Sequence, residues 1–221
     1  MRIGNGSKGV APVNLVHNIN KRNLVDDSIM ETVDIAEGES LLFAYGSLLS
    51  QQSLEETLGV AYRGPRIFCE LEGWRRVWDG IMPNEGYWQP SDPGHSVPEN
   101  IVYLNIRAVA GSRINGILYV LTSEQFALVD EREWVYTRTD VTSALRGVAI
   151  RRGRAFAYVA KHPWLLESER FVGRAALRRS YLDLVEDAVA GCDAQFGIAY
   201  RASTEEAPPH LIFCDVRRKV P

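Results

Sequence analysis

Two short stretches of this chain hold residue types that can move a proton and hold an anion: Asp130-Glu131-Arg132-Glu133-Trp134-Val135-Tyr136 and, upstream, Phe43-Ala44-Tyr45-Gly46-Ser47-Leu48. A helix turns about 100° per residue. Counted from Phe126, that places Val129 and Glu133 on one face and Glu131 on the opposite one. Glu133 thus continues an apolar stripe. Desolvation there disfavours the charged carboxylate and raises its pKa toward the range of a general base near neutrality. The same spacing also allows Glu133 to fray into solvent past the helix end, or to join Arg138 in a structural ion pair.

The upstream stretch ends an apolar run in Tyr45-Gly46-Ser47-Leu48. A glycine there lets consecutive amides line a concave nest suited to a carboxylate or a developing oxyanion, although the same tripeptide also marks an ordinary turn. Ser47 is not expected to be a nucleophile, because no His or Lys stands at a recognisable partner spacing. Tyr45 and Tyr136 fit the wall of such a site and fit equally well as core tyrosines with satisfied hydroxyls.

The elements that must carry these residues follow from pattern. Leu41 to Tyr45 reads as a buried strand, and Ser50 caps a helix through Leu54 and Leu58 that Gly59 closes. Segments 66–71 and 74–78 read as strands, and 101–106 with 114–121, around Gly111-Ser112, as a hairpin. Thr122 with Gln125 forms a capping box for a helix through Phe126 and Val129. Strands are expected over 136–142 and 155–160, and helix from Trp164 to Ala190, clearest over 179–190. Residues 81–100, rich in proline and carrying Tyr87-Trp88, read as a long irregular loop. Strands without regular β-α-β alternation imply an α+β fold, with a mixed, strongly curved or barrel-like β-sheet and flanking helices. Residues 1–38 read as an N-terminal arm and 39–221 as a single domain that includes the C-terminal helix and tail.

The 221 residues are 46% hydrophobic and 24% charged, which suits one globular domain with a proper core. A net charge of -3 offers no broad positive field, so nucleic acid is not an expected partner. A rival reading gives Arg170, Arg174, Arg178 and Arg179, with Arg151, Arg152 and Arg154, to a nucleic acid or another acidic partner; such stripes are more often solvated faces. No run is long enough to cross a bilayer and no secretory pattern opens the chain, so no membrane is expected and the location is expected to be cytoplasmic. Cys69, Cys192 and Cys214 show no disulfide or zinc spacing, and the four histidines show no ligand spacing. Neither a metal nor another cofactor is called for.

Taken together, Phe43-Ala44-Tyr45-Gly46-Ser47-Leu48 followed by Asp130-Glu131-Arg132-Glu133 and Tyr136 resembles the γ-glutamylcyclotransferase superfamily, which includes ChaC-type enzymes, γ-glutamylamine cyclotransferases and AIG2-like proteins. Leu48 is similar to the ChaC-type turn, and Tyr181-Leu182-Asp183-Leu184-Val185 resembles a C-terminal helix of many members. The likeness covers about residues 40–160 as a pattern. It implies a γ-glutamylcyclotransferase-like fold and a small-molecule γ-glutamyl amide as substrate. It also implies an intramolecular cyclisation that releases 5-oxoproline, with Glu133 as the acid/base. Tyr45, Gly46, Ser47, Leu48 and Tyr136 would bind the substrate. Trp134 departs from the glycine that many relatives place after the glutamate. A catalytically silent binding module of the same fold is the alternative.

Overall fold

A computed structural model describes residues 31–92, 94–166 and 174–217. Strands β1 (Glu31–Asp34) and β2 (Glu39–Ala44) open it, and β2 leads through Gly46 into a 3-10 turn at Ser47–Leu49. Helix α1 (Gln51–Leu58) starts where the Ser50 hydroxyl accepts from the Ser53 amide at 3.3 Å, and it ends at Gly59 in the left-handed conformation, φ 67°. Two long strands, β3 (Arg66–Pro83) and β5 (Asn100–Thr122), flank the short β4 (Trp88–Pro90). Helix α2 (Ser123–Arg132) begins in a reciprocal capping box between Thr122 and Gln125, a feature worth about 1 kcal/mol. Strands β6 (Tyr136–Asp140), β7 (Leu145–Arg146), β8 (Val148–Arg152), β9 (Ala155–Ala160) and β10 (Ala175–Arg178) follow. Helices α3 (Arg179–Ala190) and α4 (Ala194–Ala202) then precede β11 (Ile212–Phe213) and β12 (Asp215–Arg217).

The main sheet runs β11-β10-β5-β2-β9-β6, with β3 on β5 and β7 on β3. Strand β5 is its spine. It pairs in parallel with β10 at Asn100 and Ile101, and antiparallel with β2 from Ile117 to Thr122, while β3 accompanies it from Tyr119 back to Asn100. One strand serving several neighbours along its length forces the sheet to curl, and the fold is α+β with a strongly curved mixed sheet. Asn105, buried on β5, closes the curve: its Nδ2 donates to Asp79 Oδ1 on β3 at 2.7 Å, and its Oδ1 accepts from the Ala160 amide of β9 at 2.8 Å. Inside lie Leu41, Leu42, Phe43, Leu118 and Tyr119, each large side chain contributing about 1.5–3 kcal/mol by leaving water. Helix α3 buries Tyr181, Leu182, Val185 and Val189 as one face and packs on the Ser47–Leu49 turn. No described helix is long and apolar enough to cross a membrane.

Several elements differ from expectation, each for a local reason. Segments 101–106 and 114–121 are not partners in a hairpin but two parts of β5, because β3 supplies an antiparallel neighbour for both. The pairing shifts between Glu72 and Trp74, where Gly73 (φ 80°) faces the excursion that holds Gly111 (φ 78°), backbone conformations that favour glycine. Residues 164–166 are not helical. They run along β3, with the Trp164 carbonyl accepting from Ile81 and the Leu166 amide donating to Asp79. The 81–100 stretch is only partly irregular, since β4 pairs with β12 and the buried Asn84 pins it through Trp88 and Pro98. Within the stretch read as an arm, β1 pairs in parallel with β8, and Val33 and Ile35 enter the core; residues 1–30 lie outside the described residues.

Candidate active site

The curled sheet, the 3-10 turn and α3 enclose a cavity of about 230 Å³. Tyr45, Gly46, Ser47, Leu48, Glu133 and Tyr136 all line it, so segments nearly ninety residues apart in sequence share one wall. Glu133 is the residue that closes α2. Its amide still donates to the Val129 carbonyl at 2.8 Å, and its carbonyl accepts from the Tyr136 amide at 2.8 Å, so the backbone is held from both sides. Its side chain is only 15% exposed, whereas Glu131 is exposed. Burial pushes the Glu133 carboxyl above the ordinary carboxylate range, and the charge of Arg132 opposes that rise. The ion pair considered with Arg138 is not made: Arg138 joins Asp130 at 3.2 Å, and Glu133 Oε1 meets Arg132 Nε at 3.2 Å.

Arg132, which carried no role in the sequence reading, links three elements. It ends α2, where a cation suits the free carbonyls. Its guanidinium donates to the Ser53 carbonyl at 2.9 Å, to the Ser53 and Ser47 hydroxyls at 3.1 and 3.0 Å, and to Thr57 Oγ1. Ser47 therefore has a permanent cation as its hydroxyl partner, and a guanidinium cannot take the proton a serine nucleophile must lose.

The turn itself presents donors. The Leu49 and Ser50 amides close onto the Gly46 and Ser47 carbonyls, which leaves the amides of Gly46, Ser47 and Leu48 without an acceptor among the described residues. From behind, the Tyr45 carbonyl accepts from Arg76 Nε at 3.1 Å and from the Tyr200 hydroxyl at 3.0 Å. Arg76 is fully buried, its pKa lowered to about 10 by desolvation, so it remains a cation at neutral pH. Asn115, Ser203 and Thr204 accept its other donors, and its guanidinium stacks on Tyr200 at 3.9 Å.

Tyr45 and Tyr136 line the cavity with hydroxyls already committed, Tyr45 to the Tyr158 carbonyl at 2.5 Å and Tyr136 to the Leu104 carbonyl at 3.2 Å. Burial above all, with Glu133 adding, pushes both phenols well above their ordinary value. They remain neutral walls. Tyr103, Tyr158, Tyr181, Arg132 and Arg178 also line the cavity, with Leu42, Phe43, Ala44, Met82, Leu104 and Leu184 as its apolar part. Among these, the Tyr181 helix was marked by its resemblance to a family segment and Arg178 only as part of an arginine stripe, while nothing in the sequence marked Tyr103 or Tyr158 for this cavity. Trp134 points away from the cavity: it is 45% exposed and its ring meets Trp164 edge-on at 5.0 Å.

The arginines read as a helical stripe do not form one. Arg174 precedes β10, Arg178 ends it and is buried, Arg179 is exposed beside Asp183 at 3.9 Å, and Arg170 lies outside the described residues. Arg152 and Arg154 form exposed pairs with Asp34 and Asp140 at 3.7 and 3.5 Å.

No family model matches the chain, and no curated protein matches it. Solved structures do. A γ-glutamyl cyclotransferase is similar at 14% identity with a TM-score of 0.52, the likeness covering 77% of this chain and 91% of that one. An uncharacterized protein from Homo sapiens is similar at 15% identity and a TM-score of 0.50, over 79% of this chain and 96% of that one. YkqA from Bacillus subtilis is similar at 15% identity and a TM-score of 0.50, over 75% of this chain and 54% of that one. The chain has the γ-glutamylcyclotransferase-like fold.

Proposed function

We propose that the protein cyclises a γ-glutamyl amide, releasing 5-oxoproline and a free amine or peptide. The observation that carries this reading is the buried Glu133 carboxylate facing the same cavity as the unpaired amides of residues 46–48. The likeness to a γ-glutamyl cyclotransferase structure supports it at the level of fold.

The substrate's α-amine has a pKa of about 8 and is mostly protonated near neutrality. Glu133, with its affinity for protons raised by burial, takes a proton from it. The free amine then attacks the γ-carbonyl of the same molecule, forming the ring C–N bond. The carbonyl oxygen gains charge as the tetrahedral intermediate forms, and the Gly46, Ser47 and Leu48 amides are suited to receive it. Collapse breaks the original amide bond while Glu133 returns a proton to the leaving nitrogen, and the ring nitrogen gives up its second proton, which departs on the released amine. Atoms balance without water. Holding the chain in its ring-closing shape supplies much of the acceleration, since well-oriented intramolecular reactions reach effective molarities on the order of 10⁵ M.

The test is a mass-spectrometric screen of purified protein against glutathione, a γ-glutamylamine and several γ-glutamyl amino acids. The reading expects 5-oxoproline and the free amine in equal amounts from at least one of them. Release of glutamate instead would mean hydrolysis, and no product from any of them would leave a pocket that only binds.

A further inference from the structure

We propose that Arg76, which lies outside the cavity lining, is a positioning residue whose charge reaches the reacting carbonyl through the Tyr45–Gly46 peptide group, so that the Gly46 amide is the donor that takes the oxyanion. The inference rests on the cyclase reading above and names the part of the turn that stabilises the intermediate.

Arg76 is wholly buried on β3 and remains a cation at neutral pH. A charge taken out of water is ordinarily matched by an opposite charge. Among the described residues no carboxylate pairs with this one. Its donors go to the carbonyls of Tyr45 and Asn115, to Asn115 Oδ1 at 3.0 Å, and to the Ser203 and Thr204 hydroxyls at 2.8 and 3.4 Å, all of them neutral. Cross-linking alone does not call for such a cation. The 203–205 strip is already tied to β3 by backbone, since the Arg76 amide donates to the Ser203 carbonyl at 3.2 Å and the Arg76 carbonyl accepts from the Glu205 amide at 3.0 Å. The guanidinium thus keeps an unneutralised charge in a medium that screens poorly.

One peptide unit separates that charge from the cavity. The Tyr45–Gly46 bond is trans, so the carbonyl that faces Arg76 and the amide of Gly46 point in opposite directions. Neither Arg76 nor Tyr200 lines the cavity, whereas Gly46 does, and a side chain placed on Gly46 would meet the Tyr181 hydroxyl at 3.5 Å and Leu104 at 3.7 Å, both lining residues. Hydrogen bonds to a carbonyl polarise the whole amide and strengthen its N–H as a donor. The three turn amides differ in this respect. The Tyr45 carbonyl, which shares a peptide plane with the Gly46 amide, accepts from the Arg76 cation at 3.1 Å and the Tyr200 hydroxyl at 3.0 Å. The Gly46 and Ser47 carbonyls, which share planes with the Ser47 and Leu48 amides, accept only from the neutral Leu49 and Ser50 amides at 2.9 and 3.1 Å. Gly46 therefore offers the strongest donor. An oxygen held there would lie roughly 8 Å from the guanidinium, two hydrogen bonds and one peptide unit away. A unit charge at that range alters the stability of an oxyanion on the order of 30-fold, with the screening usual for buried sites. The reacting carbonyl is neutral in the bound substrate and gains charge only in the intermediate, so the effect falls mainly on kcat.

The experiment measures steady-state 5-oxoproline release by wild type, Arg76→Gln, Arg76→Lys and Tyr200→Phe, with melting temperatures taken in parallel. Arg76→Gln exchanges the cation for a neutral donor and should lower kcat on the order of 30-fold with KM within about threefold. Arg76→Lys keeps the charge and should recover most of that loss even where its melting temperature is no higher. Tyr200→Phe removes the neutral donor and leaves the cation, so its loss should be smaller, on the order of threefold. Near-wild-type kcat in Arg76→Gln would overturn the inference while leaving the cyclase reading intact. So would equal losses in Arg76→Gln and Arg76→Lys, the pattern of a purely structural role. Where neither Arg76 variant folds, Tyr200→Phe decides: a loss of 30-fold or more would assign the effect to neutral anchoring and overturn the inference, and a loss near threefold would sustain it. No 5-oxoproline from wild type with any γ-glutamyl substrate would overturn the cyclase reading and this inference with it.

Discussion

Glu133 and Arg132 are adjacent in sequence and pull the same proton equilibrium in opposite directions. Burial favours the protonated acid, and the guanidinium 3.2 Å away favours the carboxylate. In the cyclase reading the carboxylate must be free of its proton to start the reaction, so the acid limb of the kcat/KM profile follows Glu133. That limb is expected above the ordinary glutamate range. Replacing Arg132 with methionine removes the opposing charge, so the limb should move to still higher pH, read from a full pH–rate profile. A limb that stays put or moves down would assign it to another group. An inward Glu133 was one of the directions the helical period allowed, beside a frayed end or a pair with Arg138, and its 15% exposure at the helix cap decides between them. The place of Arg132 was not legible, because its contacts with Ser47, Ser53 and Thr57 lie 75 to 85 residues away in sequence.

In the cyclase reading the turn after β2 serves only if its carbonyl side is anchored, since a free peptide plane can rotate its amide out of the cavity. Arg76 on β3 and Tyr200 on α4 supply that anchor at the Tyr45 carbonyl. Arg76→Met keeps much of the volume but strips donors from Tyr45 and Asn115, so a loss of about 3 kcal/mol in unfolding free energy is expected. Denaturant titration measures it; a change within 0.5 kcal/mol would show that Tyr200 alone suffices, with the magnitude of an ordinary surface change as the benchmark. The caps of α1 and α2 were readable because capping is chemistry between residues three apart. Pairing was not. The two parts of β5 looked like each other's partners until β3 proved long enough to satisfy both, and α4, which brings Tyr200 to the turn, carries too weak a stripe to announce itself.

Across the whole chain, the curl of the sheet is what turns scattered residues into a site. Strand β2 delivers the turn, α2 delivers Glu133, and β10 delivers Arg178 to one cavity. The α+β class and the curved sheet were visible in the order and spacing of apolar segments. The clamp of β4 and β12 around Arg178 was not, because it rests on a three-residue pairing and on one buried asparagine, Asn84, that no local pattern marks. The claim on which the rest depends is that one carboxylate shuttles the proton. With a γ-glutamyl substrate found in the panel, single-turnover 5-oxoproline release by Glu133→Gln should fall about 10³-fold below wild type. Glu131→Gln, altered two residues away on the exposed face, should stay within a few-fold. A Glu133→Gln protein that folds and releases 5-oxoproline at near-wild-type rate would contradict the account.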